Sequence, residues 1–442
     1  MVVTEDKPSK KKAVPSRRIT RFSKMVQLAG GVASSMVLEG TKQLSQGKRP
    51  KVRDLLLTPK NARRVADQLA NLRGAAMKLG QLLSMDGGDF LPPELADILA
   101  KLRSNAESMP TKQLVKVLEN AWGEDWQDNF YQFDMNPVAA ASIGQVHKAV
   151  THDGRILALK IQYPGVRKSI DSDVDNVATL LRISTLLPKE LEIDELLEEA
   201  KIQLHQEADY IREAKYLKKY GEHLAGSEHF LIPEVDEELT TKDILAMTFI
   251  DGHPIEELVH EDESTRNRVM TLLLDLLFKE IFEFQLVQTD PNFANYQYNA
   301  DEKSLVLLDF GATREYKKRF SNAYKALFKA ALKEDMNGMR KACQRIGYFK
   351  EDINDQHLEF VQNLFFMATE PLRYEDEYDF SNTDLGVRLN EAGMALSLEQ
   401  GYWHTPPVDS LFLHRKLGGL FLLAARLKAK VNVNALVKQY LN

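Results

Sequence analysis

Asp290 and Asn295 stand five residues apart in QTDPNFAN, and Asp309 follows in DFG at the end of the apolar run LVLL. A carboxylate and an amide close together in sequence supply hard oxygen donors of the kind magnesium takes when phosphate oxygens complete its shell. Asn295 and Asp309 are therefore the expected metal ligands, and Asp290 is left to face the nucleophile, a hydroxyl or a water. Upstream, Lys160 interrupts the apolar strand ILALKIQ. An ammonium there is costly unless it meets an anion. Ahead of it lies AAASIGQV, that is Ala139, Ala140, Ala141, Ser142, Ile143, Gly144, Gln145 and Val146, with the outline of a phosphate-cradling loop. Alanine still offers backbone N–H groups to phosphate, but it lacks glycine's access to positive φ and adds a methyl group at closest approach.

Taken singly these signals are weak. A lone strand lysine is more often a snorkelling edge residue, and a lone DFG says little. Their combination and order match the protein-kinase plan of nucleotide loop, strand lysine, Asp-x4-Asn loop and DFG. Gln288 and Thr289 occupy the positions where a kinase carries histidine and arginine, which argues against control by an activation-loop phosphate. Such a site also requires a helix glutamate for Lys160, and HQEADYIREA offers Glu207, Asp209 and Glu213. On one continuous helix Asp209 and Glu213 share a face while Glu207 points about 120° from Glu213, and Glu213 is the expected partner. Met247, in DILAMTFI, is assigned to the nucleotide pocket with the Ala-rich loop.

The surrounding periodicities say what must hold these residues. From Asn61 to about Asn120 the spacing is helical. From Phe130 short β-forming runs take over, and Asp153-Gly154 marks a hairpin between SIGQVHKAVT and RILALKIQY. Helical spacing returns after Pro164 and runs through DELLEEAKIQLHQEADYIREAKYLKKY, followed by an expected strand pair, LIPEVDEEL with DILAMTFI. Beyond Gly252 the chain reads as helical except for YQYNADEKSLVLLDFG. The expected class is α+β, in four parts: residues 1–50 a basic tail and amphipathic segment, 51–128 a helical extension, 129–250 a β-rich lobe with a helical insertion, and 251–442 a mostly helical lobe.

A chain of 442 residues with 44% hydrophobic and 28% charged residues can bury a sizeable core. Its net charge of −6 argues against nucleic acid as the main partner. Cys343 has no second cysteine to pair with and reads as a buried structural thiol. No apolar run reaches the ~18 residues of a spanning helix. Between Lys7 and Lys24 the tail carries eight cations and no acid, ahead of the moderately apolar MVQLAGGVASSMVL. Cations followed by an apolar face suit an anionic membrane surface, and a solvated tail fits as well.

KLGQ at Lys78 to Gln81, AAASIGQV, EAD at Glu207 to Asp209 and QTDPNFAN with DFG together identify the chain as resembling the UbiB family of atypical kinases, also called AarF-like, in its ubiquinone-biosynthesis branch. LHRKLGGLFLLAARL near the end is similar to the same branch. The resemblance implies a bilobal protein-kinase-like fold with a family-specific N-terminal helical extension whose Lys78 and Gln81 lie where a protein kinase binds its peptide, with Lys78 meeting Glu207 or Asp209. It implies ATP (or ADP) and Mg²⁺ as cofactors, and Mg²⁺-dependent hydrolysis acting on or with a small lipid or isoprenoid phenol. It further implies support of ubiquinone-biosynthesis enzymes at a membrane, from the cytoplasm in bacteria or the matrix side of an organelle. A protein kinase and a nucleotide-binding scaffold are the competing expectations.

Overall fold

The computed structural model describes residues 75, 108–141, 143–183, 194–349, 353–395 and 407–441. The basic tail, the KLGQ segment with Lys78 and Gln81, and Ser142 lie outside these residues. The described residues fall into two compact units, one within Met1–Ala214 plus Val235–Phe249, the other Lys215–Glu234 plus Ile250–Asn442.

The first unit is built on an antiparallel sheet whose strands are β1 (Gln132–Phe133), β2 (Ala139–Ala140), β3 (Gly144–Val150) and β4 (Ile156–Gln162); β5 (Phe230–Leu231) belongs to the second unit, and β6 (Ile244–Thr248) completes the first. The order is β1-β3-β4-β6, with β2 paired to β3. The Asp153-Gly154 turn joins β3 to β4 as its sequence requires: Gly154 takes a φ of +85°, and Thr151 N–H donates to Arg155 O at 3.0 Å. β4 is central, so it reads as a nearly unbroken apolar run, with Leu157, Leu159 and Ile161 fully buried. Helix α1 (Thr111–Trp122) lays Leu114, Val117 and Leu118 on this sheet, an i, i+3, i+4 stripe that joins Trp126 and Phe130 in the core. Three further helices follow, α2 (Val166–Ile183), α3 (Asp194–Glu207) and α4 (Tyr210–His223).

Two sequence expectations are corrected here. The helix expected through HQEADYIREA is broken: α3 stops at Glu207, and Asp209 caps α4, its Oδ1 accepting from Arg212 N–H at 3.2 Å and its carbonyl from Glu213 N–H at 3.0 Å. An aspartate that bonds the first turn favours the end of a helix over its middle. The expected strand pair is also absent as such: β6 pairs with β4, and only the single bridge Val235–Met247 joins the two runs.

In the second unit, α5 (Glu263–Lys279) starts at Asp262, whose side chain accepts from Thr265 N–H, and widens at its end into a π-turn, Glu280–Phe284. Gln285 then takes a left-handed φ of +53° and turns the chain into β8 (Leu286–Gln288), which follows β7 (His253–Pro254) in the numbering. β9 (Tyr296–Asn299) and β10 (Ser304–Leu307) form an antiparallel hairpin, β5 adds to β10 in parallel, and β11 (Thr313–Glu315) pairs with β8. Helices α6 (Lys318–Leu332), α7 (Met336–Ile346), α8 (Asp355–Ala368), α9 (Glu370–Arg373), α10 (Leu385–Met394), α11 (Val408–Arg426) and α12 (Val433–Lys438) complete it. Cys343 is fully buried in α7, and burial pushes its thiol up to about 12, the state of an inert core residue.

Candidate nucleotide and metal site

The first set of site residues lies in the first unit. Ala139 pairs with Val146 and Ala140 with Gln145, and Ala141 N–H donates to Gly144 O at 2.9 Å, so the Ala-rich segment is a tight hairpin ahead of β4. Ala139 and Ala140 are exposed at its mouth, whereas Ile143 and Gly144 are buried. Gly144 is required by packing: a Cβ there would stand 2.4 Å from Ile161 O and 2.9 Å from Tyr210 Oη. The Gln145 side chain turns into the core, where its Oε1 accepts from Met109 N–H at 2.7 Å and its Nε2 lies 2.7 Å from His147 Nε2.

Val146 faces Lys160 directly across the ladder. Lys160 Nζ donates to both oxygens of Glu213, at 2.7 and 3.0 Å, with the two side chains 10% and 1% exposed. The break at Asp209 places Glu213 in the first turn of α4 and leaves Asp209 occupied as its cap; Glu207 is half-buried at the end of α3. Met247 is buried in β6 opposite Ala158, two register pairs along from Lys160–Leu245.

The second set lies in the second unit. Asp290 sits on the loop between β8 and β9 with its side chain 17% exposed and its Oδ1 buried. Asn295 Nδ2 lies 3.5 Å from Asp290 O, so its amide points across the loop. Asp309 Oδ1 accepts from Gly311 N–H at 2.9 Å. Asn295 and Asp309 line one small cavity together with Gln288, Tyr296, Glu280 and Lys416. By donor chemistry, the Asp309 carboxylate and the Asn295 amide are hard oxygen ligands of the kind magnesium takes when phosphate and water complete its shell.

Beneath this loop lies a buried polar cluster that sequence reasoning missed. Lys416 Nζ, from α11, donates to Tyr296 Oη at 2.8 Å, lies 3.5 Å from Gln288 Oε1 and pairs with Glu280 at 3.3 Å. Tyr220 Oη donates to Glu280 Oε1 at 2.7 Å and Gln288 N–H reaches the same oxygen at 3.3 Å, while Oε2 faces the Lys416 ammonium and accepts no hydrogen bond. Burial works to lower the Lys416 pKa, and Glu280 with Tyr296 outweighs it, holding the ammonium above its ordinary value. The signal was present: Arg415 and Lys416 interrupt an otherwise apolar LFLHRKLGGLFLL, as Lys160 interrupts its strand.

On the same helix His414 Nε2 lies 2.8 Å from Tyr348 Oη and 3.2 Å from Tyr324 Oη, and burial pushes its pKa from 6.5 down to about 4. The unfolded chain takes up this proton near pH 6.5 and the folded chain resists it to about pH 4. The neutral ring therefore contributes stability above pH 6.5 that is lost as pH falls through this window, about 3 kcal/mol in all. His414→Gln should flatten the fall of Tm between pH 6.5 and pH 4; an unchanged slope would assign the acid sensitivity to other groups.

A β-sheet lobe with a buried Lys–Glu pair and a helical lobe with Asp-x4-Asn and DFG define a kinase-like fold of the atypical kind. Residues 101–343 match the ABC1 atypical kinase-like domain. The chain is 36% identical over 436 residues to the Saccharomyces cerevisiae protein named Atypical kinase COQ8, mitochondrial, covering 97% of this chain and 86% of that one. It is 37% identical over 441 residues to the Caenorhabditis elegans protein named Atypical kinase coq-8, mitochondrial, covering 97% of this chain and 58% of that longer relative. The structure of the Rv3197–erythromycin complex from Mycobacterium tuberculosis shares the fold, with a TM-score of 0.59 at 23% identity, covering 86% of this chain and 95% of that one. The chain belongs to the ABC1 atypical kinase-like family, the UbiB or AarF-like kinases, and is a phosphotransferase-like enzyme.

Proposed function

We propose that this chain is a magnesium-dependent ATPase of atypical kinase type that supports ubiquinone biosynthesis, acting on or with a small lipid or isoprenoid phenol. The observation that carries the nucleotide reading is the buried Lys160–Glu213 pair, set opposite Val146 of the Ala-rich hairpin. A lysine fixed by a glutamate is the arrangement with which kinases align phosphates. The Ala-rich hairpin, exposed at Ala139 and Ala140, is assigned to the phosphates, Met247 to the base, and Asn295 and Asp309 to Mg²⁺, which when bound neutralises phosphate charge. Asp290 orients or deprotonates the attacking water or hydroxyl. Lys78, in the KLGQ segment, is assigned by the family resemblance to the acidic Glu207–Asp209 motif.

The test is ATP consumption by the purified protein, with and without phenolic or isoprenoid compounds and anionic vesicles. Both additions should stimulate turnover. Phosphate transfer to a protein faster than ATP hydrolysis would reverse the assignment.

Among the described residues no helix is long and apolar enough to cross a membrane. The cationic tail is proposed to hold the protein at an anionic surface. Removal of residues 1–24 should weaken binding to anionic vesicles, and more so at low salt, because a Debye length of about 10 Å at 0.1 M screens exposed charge. Equal binding with and without the tail would sink this part of the proposal.

A further inference from the structure

Three consecutive polar residues, His414, Arg415 and Lys416, leave α11 in three directions, about 100° apart around the helix. His414 enters the tyrosine cluster, while the other two turn to the loop that carries Asp290. Lys416 reaches Tyr296, Gln288 and Glu280. The Arg415 guanidinium stands 3.8 Å from Asp290 Oδ1, with the arginine side chain 4% exposed. One turn further on, a Cβ at Gly419 would lie 2.4 Å from Pro291 Cβ, so only glycine lets the α11 backbone lie against the residue after Asp290.

We propose that α11 replaces the missing cationic framework of the catalytic loop, with Arg415 as the positioning residue of Asp290 and Gly419 setting their approach. The two positions before Asp290 carry no cation: Gln288 is bonded into the Glu280–Lys416 cluster, and Thr289 Oγ1 donates to Ala312 O at 2.7 Å. Arg415 brings the charge from 125 residues away in sequence and sets it against the buried Oδ1. At 3.8 Å the contact is an ion pair without a hydrogen bond, and its attraction favours the rotamer that keeps Oδ1 toward the guanidinium. α11 also grips the strand after DFG, where Arg314 lies 4.4 Å over the Phe412 ring and Tyr316 Oη donates to Asp409 O at 2.9 Å. The helix therefore positions the loop and the strand following the metal ligand together.

The role of Arg415 in turnover rests on the ATPase reading above, and its structural part is tested without nucleotide. In the full-length protein, Arg415→Gln should raise amide hydrogen exchange of residues 288–295 at least tenfold while β3 and β4 exchange as in the wild type. With ATP, kcat should fall at least tenfold at nearly unchanged KM, and Arg415→Lys should restore part of it. Gly419→Ala is the second variant. Alanine improves helix propensity, so a rise in exchange at 288–295 there reports displacement of the loop rather than failure to fold. Wild-type exchange at 288–295 in both variants would overturn the proposal, as would wild-type kcat in Arg415→Gln. A wild-type protein without ATP turnover would overturn the ATPase reading, and the exchange measurements would still decide the role of α11.

Discussion

Replacing Asp290 with asparagine should lower Mg²⁺-dependent ATP consumption by about 10²–10⁴-fold, the usual contribution of a positioned acid or base, while the affinity for nucleotide changes little. Asparagine keeps the size of the side chain and loses only the charge and the proton acceptor. The loop backbone has its own supports, Asn295 N–H to Asn292 O at 3.0 Å and Leu308 N–H to Asn295 O at 3.1 Å, and neither uses the Asp290 carboxylate. The melting temperature should fall as well, because the buried Arg415 guanidinium loses the carboxylate 3.8 Å away. Turnover measured well below that temperature, beside nucleotide binding by calorimetry, separates the two effects. Full turnover in the variant would remove Asp290 from the chemistry.

The parts of this site that could be read from the sequence are those whose signals are local. A Gly154 forced to positive φ by a five-residue connection, an apolar strand broken by one lysine, and Asp290 with Asn295 on one short loop each declare themselves within a dozen residues. The partner of Lys160 was also identifiable, although the route to it assumed an unbroken helix. Periodicity carries across Ala208 and Asp209 without a gap, and a single capping aspartate is what ends one helix and begins the next. Strand partners are harder. Phe230–Leu231 lies parallel to Leu305–Val306, and Ile244–Thr248 lies beside β4, a choice made by packing on distant segments that hydropathy along the chain does not encode.

The α11 cluster shows a different limit. Lys416 and Gln288 are separated by 128 residues, and nothing near either one names the other. What the sequence does contain is a cost: Arg415 and Lys416 inside an apolar helix must be balanced by anions. Glu280 could not be named as one of them, because its inward direction depends on the π-turn that ends α5. π-turns of this kind frequently accompany functional sites, and this one delivers a carboxylate under the Asp290 loop.

Breaking the Lys160–Glu213 pair should have the largest effect on stability, and the pattern among variants tells what the pair is for. Glu213→Ala leaves an ammonium buried at 10% exposure without its carboxylate and should cost about 3–5 kcal/mol, seen as a lower midpoint in chemical denaturation. Lys160→Met strands a carboxylate that is 1% exposed and should cost a comparable amount. The double variant Lys160→Met with Glu213→Leu removes both charges from a buried site beside the Tyr210 ring, whose centroid lies 5.5 Å from Lys160 Nζ. It should recover most of the lost stability, because desolvating two charges cancels much of what their attraction returns. ATP turnover should stay low in all three, by about 10²–10³-fold, since no phosphate-facing cation remains in a fixed position. Recovery of stability without recovery of turnover would mean that the buried pair is kept for phosphate alignment. Wild-type turnover in the double variant would show instead that Lys160 serves only to neutralise Glu213.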